Sequence, residues 1–417
     1  WRPLRPLREN IILQSTHCSQ RGAKIKMSTQ MTQTFSTFDP RLVPASAPDS
    51  WLSLTGPTGW TGCPPGLYVR TCHNTSGGEA FLIELLDGNG MVLPADPVST
   101  PGMTFLESDT VRAELAFAPG GSLRIRVRGG RLRLTMQHLT SYAPICHRID
   151  ARRLQVSLTI LNSQFALTCL AGRLDLDAPW AGDHSELGLI TLAPADGTWA
   201  EMALEDMQSS WPATEHRESF QEVVGRREAE YAAFCSPLPP VPPGQEAARE
   251  LAGYIMWSCG VPQRNRVVRP VILMSKAGMN RVWSWDHCFI ALGLCTSHPD
   301  LAWHQFQAFV EHQDADGCLP DCYNAGHHIW EFVKPPIHGW ALLRMMEWAD
   351  PGVARLKEAY EPLVRWTRWW LNHRDHDGDG LVEIHHGNDT GADNSTLMGL
   401  GMPLASPETV SYTHLRA

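Results

Sequence analysis

The run Cys235-Ser-Pro-Leu-Pro-Pro-Val-Pro-Pro243 constrains the fold more than any other stretch of the chain. Proline fixes φ and removes a backbone donor, so this run can continue neither a helix nor a sheet and reads as a stiff connector. The hydrophobic period differs on its two sides. From about Trp51 to Met207 short apolar runs alternate with polar residues, whereas after residue 244 apolar positions recur every three to four. A length of 417 residues also points to two units, because one core rarely grows that large.

The first half reads as an antiparallel β-sandwich over 51–207. Val111–Phe117 and Ser122–Val127 alternate with period two and flank Pro119-Gly120-Gly121, a hairpin signal. Arg153–Leu161 and Phe165–Leu170 form a similar pair around Asn162-Ser163. Leu67–Thr71 and Ala80–Ile83 are further short strands. Many short strands at this spacing suit two packed sheets. No catalytic constellation stands out there, so the expected role is structural. Residues 1–50 read as an arm, disordered or partly translated upstream sequence, with Met27 a plausible start and Trp1–Lys26 lacking an apolar signal core. Residues 208–244 are expected to be a helical connector, over 208–234, followed by the proline run.

Helices are expected near 244–259, 285–296, 299–313, 335–349 and 352–372, with long loops between them. In the last, Val353, Leu356, Tyr360, Leu363, Thr367 and Trp370 line one stripe, with Trp366 and Trp369 beside it. Polar motifs fall at the helix ends, so the ends are expected to converge on a pocket. A net charge of −9 argues against nucleic acid or an anionic membrane as partner. No apolar run approaches the roughly 20 residues of a spanning helix. Eleven cysteines without a disulfide rhythm read as free thiols in a reducing cytoplasm. Cys318-x-x-x-Cys322 lacks a second ligand pair at zinc-finger spacing. Ten of the 16 tryptophans follow residue 250, and a flat indole suits either a helical core or the C–H face of a sugar.

Four motifs carry the chemistry. In Trp283-Ser-Trp285-Asp286-His287, Ser284 is expected to cap a helix with Asp286 in its first turn. Asp286 then either assists the helix start or accepts hydrogen bonds from vicinal sugar hydroxyls. Asp314-x-Asp316-Gly317 reads mainly as a turn. Lys334-Pro-Pro-Ile-His338-Gly-Trp340 begins a helix and sets a histidine and a tryptophan beside a small residue. The last motif, His373 to Thr396, packs six carboxylates and four glycines into one stretch. Its Asp375-x-Asp377-x-Asp379-Gly380 imitates a calcium loop, but the twelfth position is His386 rather than a bidentate glutamate, so an acidic turn is expected and no metal. Its end, Gly391-Ala-Asp393-Asn-Ser395, allows close backbone approach around one carboxylate, which partial burial or the neighbouring Asp389 could make a proton donor.

On these residues the chain resembles the six-hairpin (α/α)6 glycosidases: glycoside hydrolase family 63, the related trehalases and the mannosylglycerate hydrolase-like enzymes. The resemblance covers about residues 245–408 and rests on Met274-Ser-Lys276 with Trp283–His287, Lys334–Ala341, Asp377–Leu381 with Glu383, and Gly391–Ser395 in that order. It implies an antiparallel β-sandwich followed by the first part of an (α/α)6 toroid. It also implies an inverting hydrolase of α-linked glucosides or mannosides that needs no cofactor. Asp393 would be the general acid, and Trp283, Trp285, Asp286, Lys334, His338, Trp340 and Asp389 would bind the sugar. Two positions depart from the family pattern: Asp389 stands for a glutamate and Ala392 for a tryptophan. The family's base is a glutamate in late helices. That places it beyond residue 417, in a longer product of which this chain, inactive alone, would be the first part, with 409–417 a non-native tail. A carbohydrate-binding protein without catalysis, or a sugar epimerase or lyase on the same toroid, are the rival readings.

Overall fold

The computed structural model describes residues 35–391 except 60, 74–76, 196–197, 212–213 and 386, together with the backbone of 414–415. The described residues from Ser36 onward fall in one compact unit.

Two antiparallel sheets occupy the first half, as the alternating text predicts. One runs in the order Leu52–Thr55, Leu67–Thr71, Glu79–Leu86, Arg131–Met136, Leu189–Ala193, Arg173–Asp177, with Val92–Leu93 added to the third strand. The other runs Ile145–Arg148, Arg153–Leu158, Ser163–Ala171, Ala200–Met207, Leu123–Arg128, Arg112–Phe117, Thr104–Glu107, Pro97–Ser99. Their inner faces meet through pairs such as Phe81 and Phe165, whose rings stand edge-on at 5.0 Å. The Pro119-Gly120-Gly121 turn closes with Phe117 opposite Leu123. Around Asn162 the chain makes a short 3-10 turn, Thr159–Leu161, and Asn162 takes the left-handed conformation that lets Leu158 pair with Ser163.

The connector differs from expectation. Its helix, α1 (Phe220–Cys235), starts only after residue 219, where Ser219 and Glu222 form a reciprocal capping box. Residues before it lack the apolar stripe that would bury a longer helix. Arg227 of α1 is buried and keys it to the second sheet by donating to the carbonyls of Phe117 and Ala118 and pairing with Asp49.

Beyond the prolines come α2 (Glu246–Ser258), α3 (Ser284–Leu294), α4 (Pro299–Val310), α5 (His338–Trp348) and α6 (Val353–His373), matching the five expected helices to within a few residues. The proline run is not a free spacer, because Arg249 of α2 grips the carbonyls of Cys235, Leu238 and Pro239. The two halves share a core in which Trp51 and Cys72 pack with Val261, Val271, Phe309, Tyr323, Trp366 and Trp370.

Candidate active site

The site is built at the start of α3. Val282–Trp283 is a short strand paired with Cys322–Tyr323, which pairs in turn with His328–Ile329. That pairing holds Trp283 extended, so Trp283 is the N-cap and Ser284 is already inside the helix. The expected Ser284 cap is therefore replaced. The Ser284 N–H donates to the Asp321 carbonyl at 3.0 Å, and no side chain caps the helix. Asp286 sits in the first turn, partly exposed, where the helix dipole favours its charge.

Trp285 and Phe289 are four residues apart and so lie on one face of α3, with ring centroids 6.1 Å apart. Phe289 in turn meets Trp340 of α5 at 6.0 Å. Phe289 is 50% exposed and Trp340 47% exposed, so the three rings form an open aromatic platform. Phe289 was not singled out from sequence; its signal was the spacing from Trp285.

The loop after α6 reaches this platform. Gly391 has φ +66°, and a Cβ there would overlap the Trp285 indole. The sequence reading of a close approach at this glycine is thus met by an identified partner, Trp285. Asp393 lies outside the described residues, as do Ala392, Asn394 and Ser395; Gly391 is the last described residue before them.

Other predicted contacts turn inward. Asp389 is buried; its Oδ1 accepts from Val333 N at 2.9 Å, and its Oδ2 from His385 N at 3.1 Å and Arg374 Nη1 at 3.0 Å. Lys334 is buried as well, bridging Asp321 Oδ1 at 3.1 Å and the Asn388 carbonyl. Together they pin the loop that ends at Gly391. His338 is buried among Phe306, Phe309 and Trp366, and burial pulls its pKa down to about 4. His287 is likewise buried and pulled down to about 4 by burial, with Nδ1 3.1 Å from the Trp283 carbonyl. Both are core imidazoles, neutral at pH 7.

The acidic segments behave as turns. Asp314 Oδ1 accepts the N–H groups of Asp316, Gly317 and Cys318. Asp375, Asp377 and Asp379 accept from Gly380, Asp379 and Leu381 respectively. Glu383, the ninth position of the calcium-like run, is 3.6 Å from His376 Nε2.

Comparison with known proteins decides the relationship. Residues 279–413 match the family described as mannosylglycerate hydrolase MGH1-like glycoside hydrolase domain. Over this segment the chain is similar to the MGH1-like glycoside hydrolases. Mannosylglycerate hydrolase MGH1 of Selaginella moellendorffii is 28% identical over 134 residues, covering 27% of this chain and 28% of that protein. Mannosylglycerate hydrolase of Rubrobacter radiotolerans is 30% identical over 141 residues, covering 28% of this chain and 32% of that protein. The chain thus spans about a third or less of these relatives, and the MGH1-like segment is only its last third. Among solved structures, the family GH92 inverting mannosidase of Bacteroides thetaiotaomicron superposes with a TM-score of 0.53 at 10% identity, over 80% of this chain and 53% of that one. That likeness concerns the fold, and it takes in far more of the chain than the MGH1-like segment. Among the described residues no helix is long and apolar enough to cross a membrane.

Proposed function

We propose that the protein carrying this chain hydrolyses a small α-linked glucoside or mannoside, with a glycosylglycerate the leading candidate. The relatives' names, mannosylglycerate and glucosylglycerate hydrolase, support that choice of substrate class. The observation that carries it is the seat of Gly391 on Trp285, at the edge of the Trp285–Phe289–Trp340 platform. Two residues past that contact the chain reaches Asp393.

In this reading the platform stacks on the apolar face of the sugar ring, and Asp286 beside it accepts from ring hydroxyls. Asp393 donates a proton to the glycosidic oxygen, and a second carboxylate activates water on the opposite face. The inverting course needs those two carboxyls about 6.5–9.5 Å apart. Asp389, Lys334 and His338 position the walls rather than touch the sugar. In this reading α2–α6 are helices of the (α/α)6 toroid that also holds the second carboxylate.

The test is hydrolysis of mannosylglycerate and glucosylglycerate by the full-length protein and its Asp393→Asn variant, with the anomer of the released sugar read by NMR. Loss of at least about two orders of magnitude in kcat with KM little changed is expected of a missing general acid. Retained turnover in Asp393→Asn would favour the epimerase or lyase reading. Sugar binding without turnover in the wild type would favour the binding-protein reading.

A further inference from the structure

The first sheet, which the sequence suggests is only structural support, holds a second constellation at one end. Glu79 opens the strand Glu79–Leu86 and is fully buried. Its Oε1 accepts from Arg70 Nη1 at 2.7 Å, Thr58 N at 2.7 Å and Thr58 Oγ1 at 3.0 Å. Its Oε2 is buried with no hydrogen-bond partner. The neighbouring strand pairs Met136 with Phe81, and Gln137 N donates to the Ala80 carbonyl, so His138 lies across from Glu79 one step further out. The His138 Nε2 is buried with no hydrogen-bond partner. Cys63, from the loop that leads into Leu67–Thr71, completes the group: a thiol sulfur, an imidazole nitrogen and a carboxylate oxygen all lie within 4.8 Å of one another.

A buried oxygen and a buried nitrogen left without partners are both destabilising, so the arrangement calls for a ligand that takes both lone pairs. A proton could serve one of them but not both together with the sulfur. A nucleophilic cysteine is the other use of such a trio, but burial pushes the Cys63 thiol up, the wrong direction for a thiolate nucleophile. We propose that Cys63, Glu79 and His138 form a binding site for a divalent cation of the zinc type, with water as fourth ligand. The donor set suits such an ion: thiolate, neutral imidazole and carboxylate are the three side-chain ligands zinc takes. Around tetrahedral zinc the donor atoms stand roughly 3.3–3.7 Å apart, a spacing that the group, already within 4.8 Å, reaches with small side-chain adjustments. Binding releases the Cys63 thiol proton. The Arg70–Glu79 pair, neutral overall, then carries one net positive charge once the ion and the thiolate are added. The ion would tie the loop before Leu67 to the sheet end.

Cobalt(II) titration of the whole protein tests this, because thiolate ligation gives a near-ultraviolet charge-transfer band. A band saturating at one equivalent, with one proton released per ion, is expected. It should vanish in Cys63→Ser and need at least about tenfold more cobalt in His138→Gln. His376, Glu383 and His385 also bring ligand atoms within that 4.8 Å limit but contain no sulfur, so the band should survive His376→Ala. No band in the wild type, or a band that persists in Cys63→Ser, overturns the proposal. Should Cys63→Ser fail to fold by circular dichroism, zinc protection of Cys63 from alkylation in the wild type, mapped by mass spectrometry, decides: protection supports the site and unchanged labelling overturns it.

Discussion

Asp389 shows how much one carboxylate can organise. It gathers N–H groups from Val333, His385 and Arg374, which belong to three separate stretches, and Arg374 is itself buried. Asp389→Ala leaves that guanidinium unpaired and should cost about 3–5 kcal/mol. Asp389→Asn keeps one acceptor and should cost less; urea midpoints of the two variants check the order. The buried histidines give a pH signature. His287 and His338 bind protons near pH 4 when folded but near 6.5 when unfolded, so the unfolded chain holds more protons between those values. Stability should be full above about pH 6.5 and fall as the pH drops toward 4. The urea midpoint in that window should flatten in His338→Phe if the residue behaves so.

Among elements, the legible features were those with a local cause. Helix positions followed from the 3.6-residue period, and the Gly120-Gly121 hairpin from its turn residues. The start of α1 was misplaced because length was read without the Ser219/Glu222 box, which was there to see. Other features depend on tertiary partners and left no local mark. The burial of His338 is set by Phe306 and Phe309 on α4 and Trp366 on α6, each distant in sequence. Asp389 looked like a sugar contact for the same reason, since nothing beside it in sequence announces Val333 or Arg374. The Gly391 contact lies between these cases: the glycine was visible, its partner was not. Gly391→Ala meets both the left-handed φ and the Trp285 ring and should cost more than about 1 kcal/mol. A changed tryptophan fluorescence in the folded variant would show that the indole had moved; an unchanged spectrum and midpoint would count against the contact.

Across the whole molecule, Lys276 joins the two halves. It is fully buried, and its ammonium donates to Ser46 Oγ at 3.0 Å, Ala47 O at 2.7 Å and Ser50 O at 2.7 Å. Ser53 Oγ returns a bond to the Lys276 carbonyl at 2.6 Å, and Asn280 Nδ2 donates to Cys72 O at 3.0 Å. With the shared core around Trp51, these contacts should make sheets and helices unfold in one transition. Calorimetry should therefore give a single endotherm, and Lys276→Met should lower it without splitting it; two resolved transitions in the wild type would show that the halves are independent.

Lys276 stands at the tip of a turn closed by Met274 N to Arg281 O and Ser275 N to Met279 O, and the outgoing limb of that turn runs straight into Trp283. The indoles that would meet a sugar are therefore anchored, through a few residues of stiff backbone, to the carbonyls of Ala47 and Ser50. Nicking or shortening the chain near residue 47 should blunt sugar recognition at the far end of that lever, although no residue removed would come near the ligand.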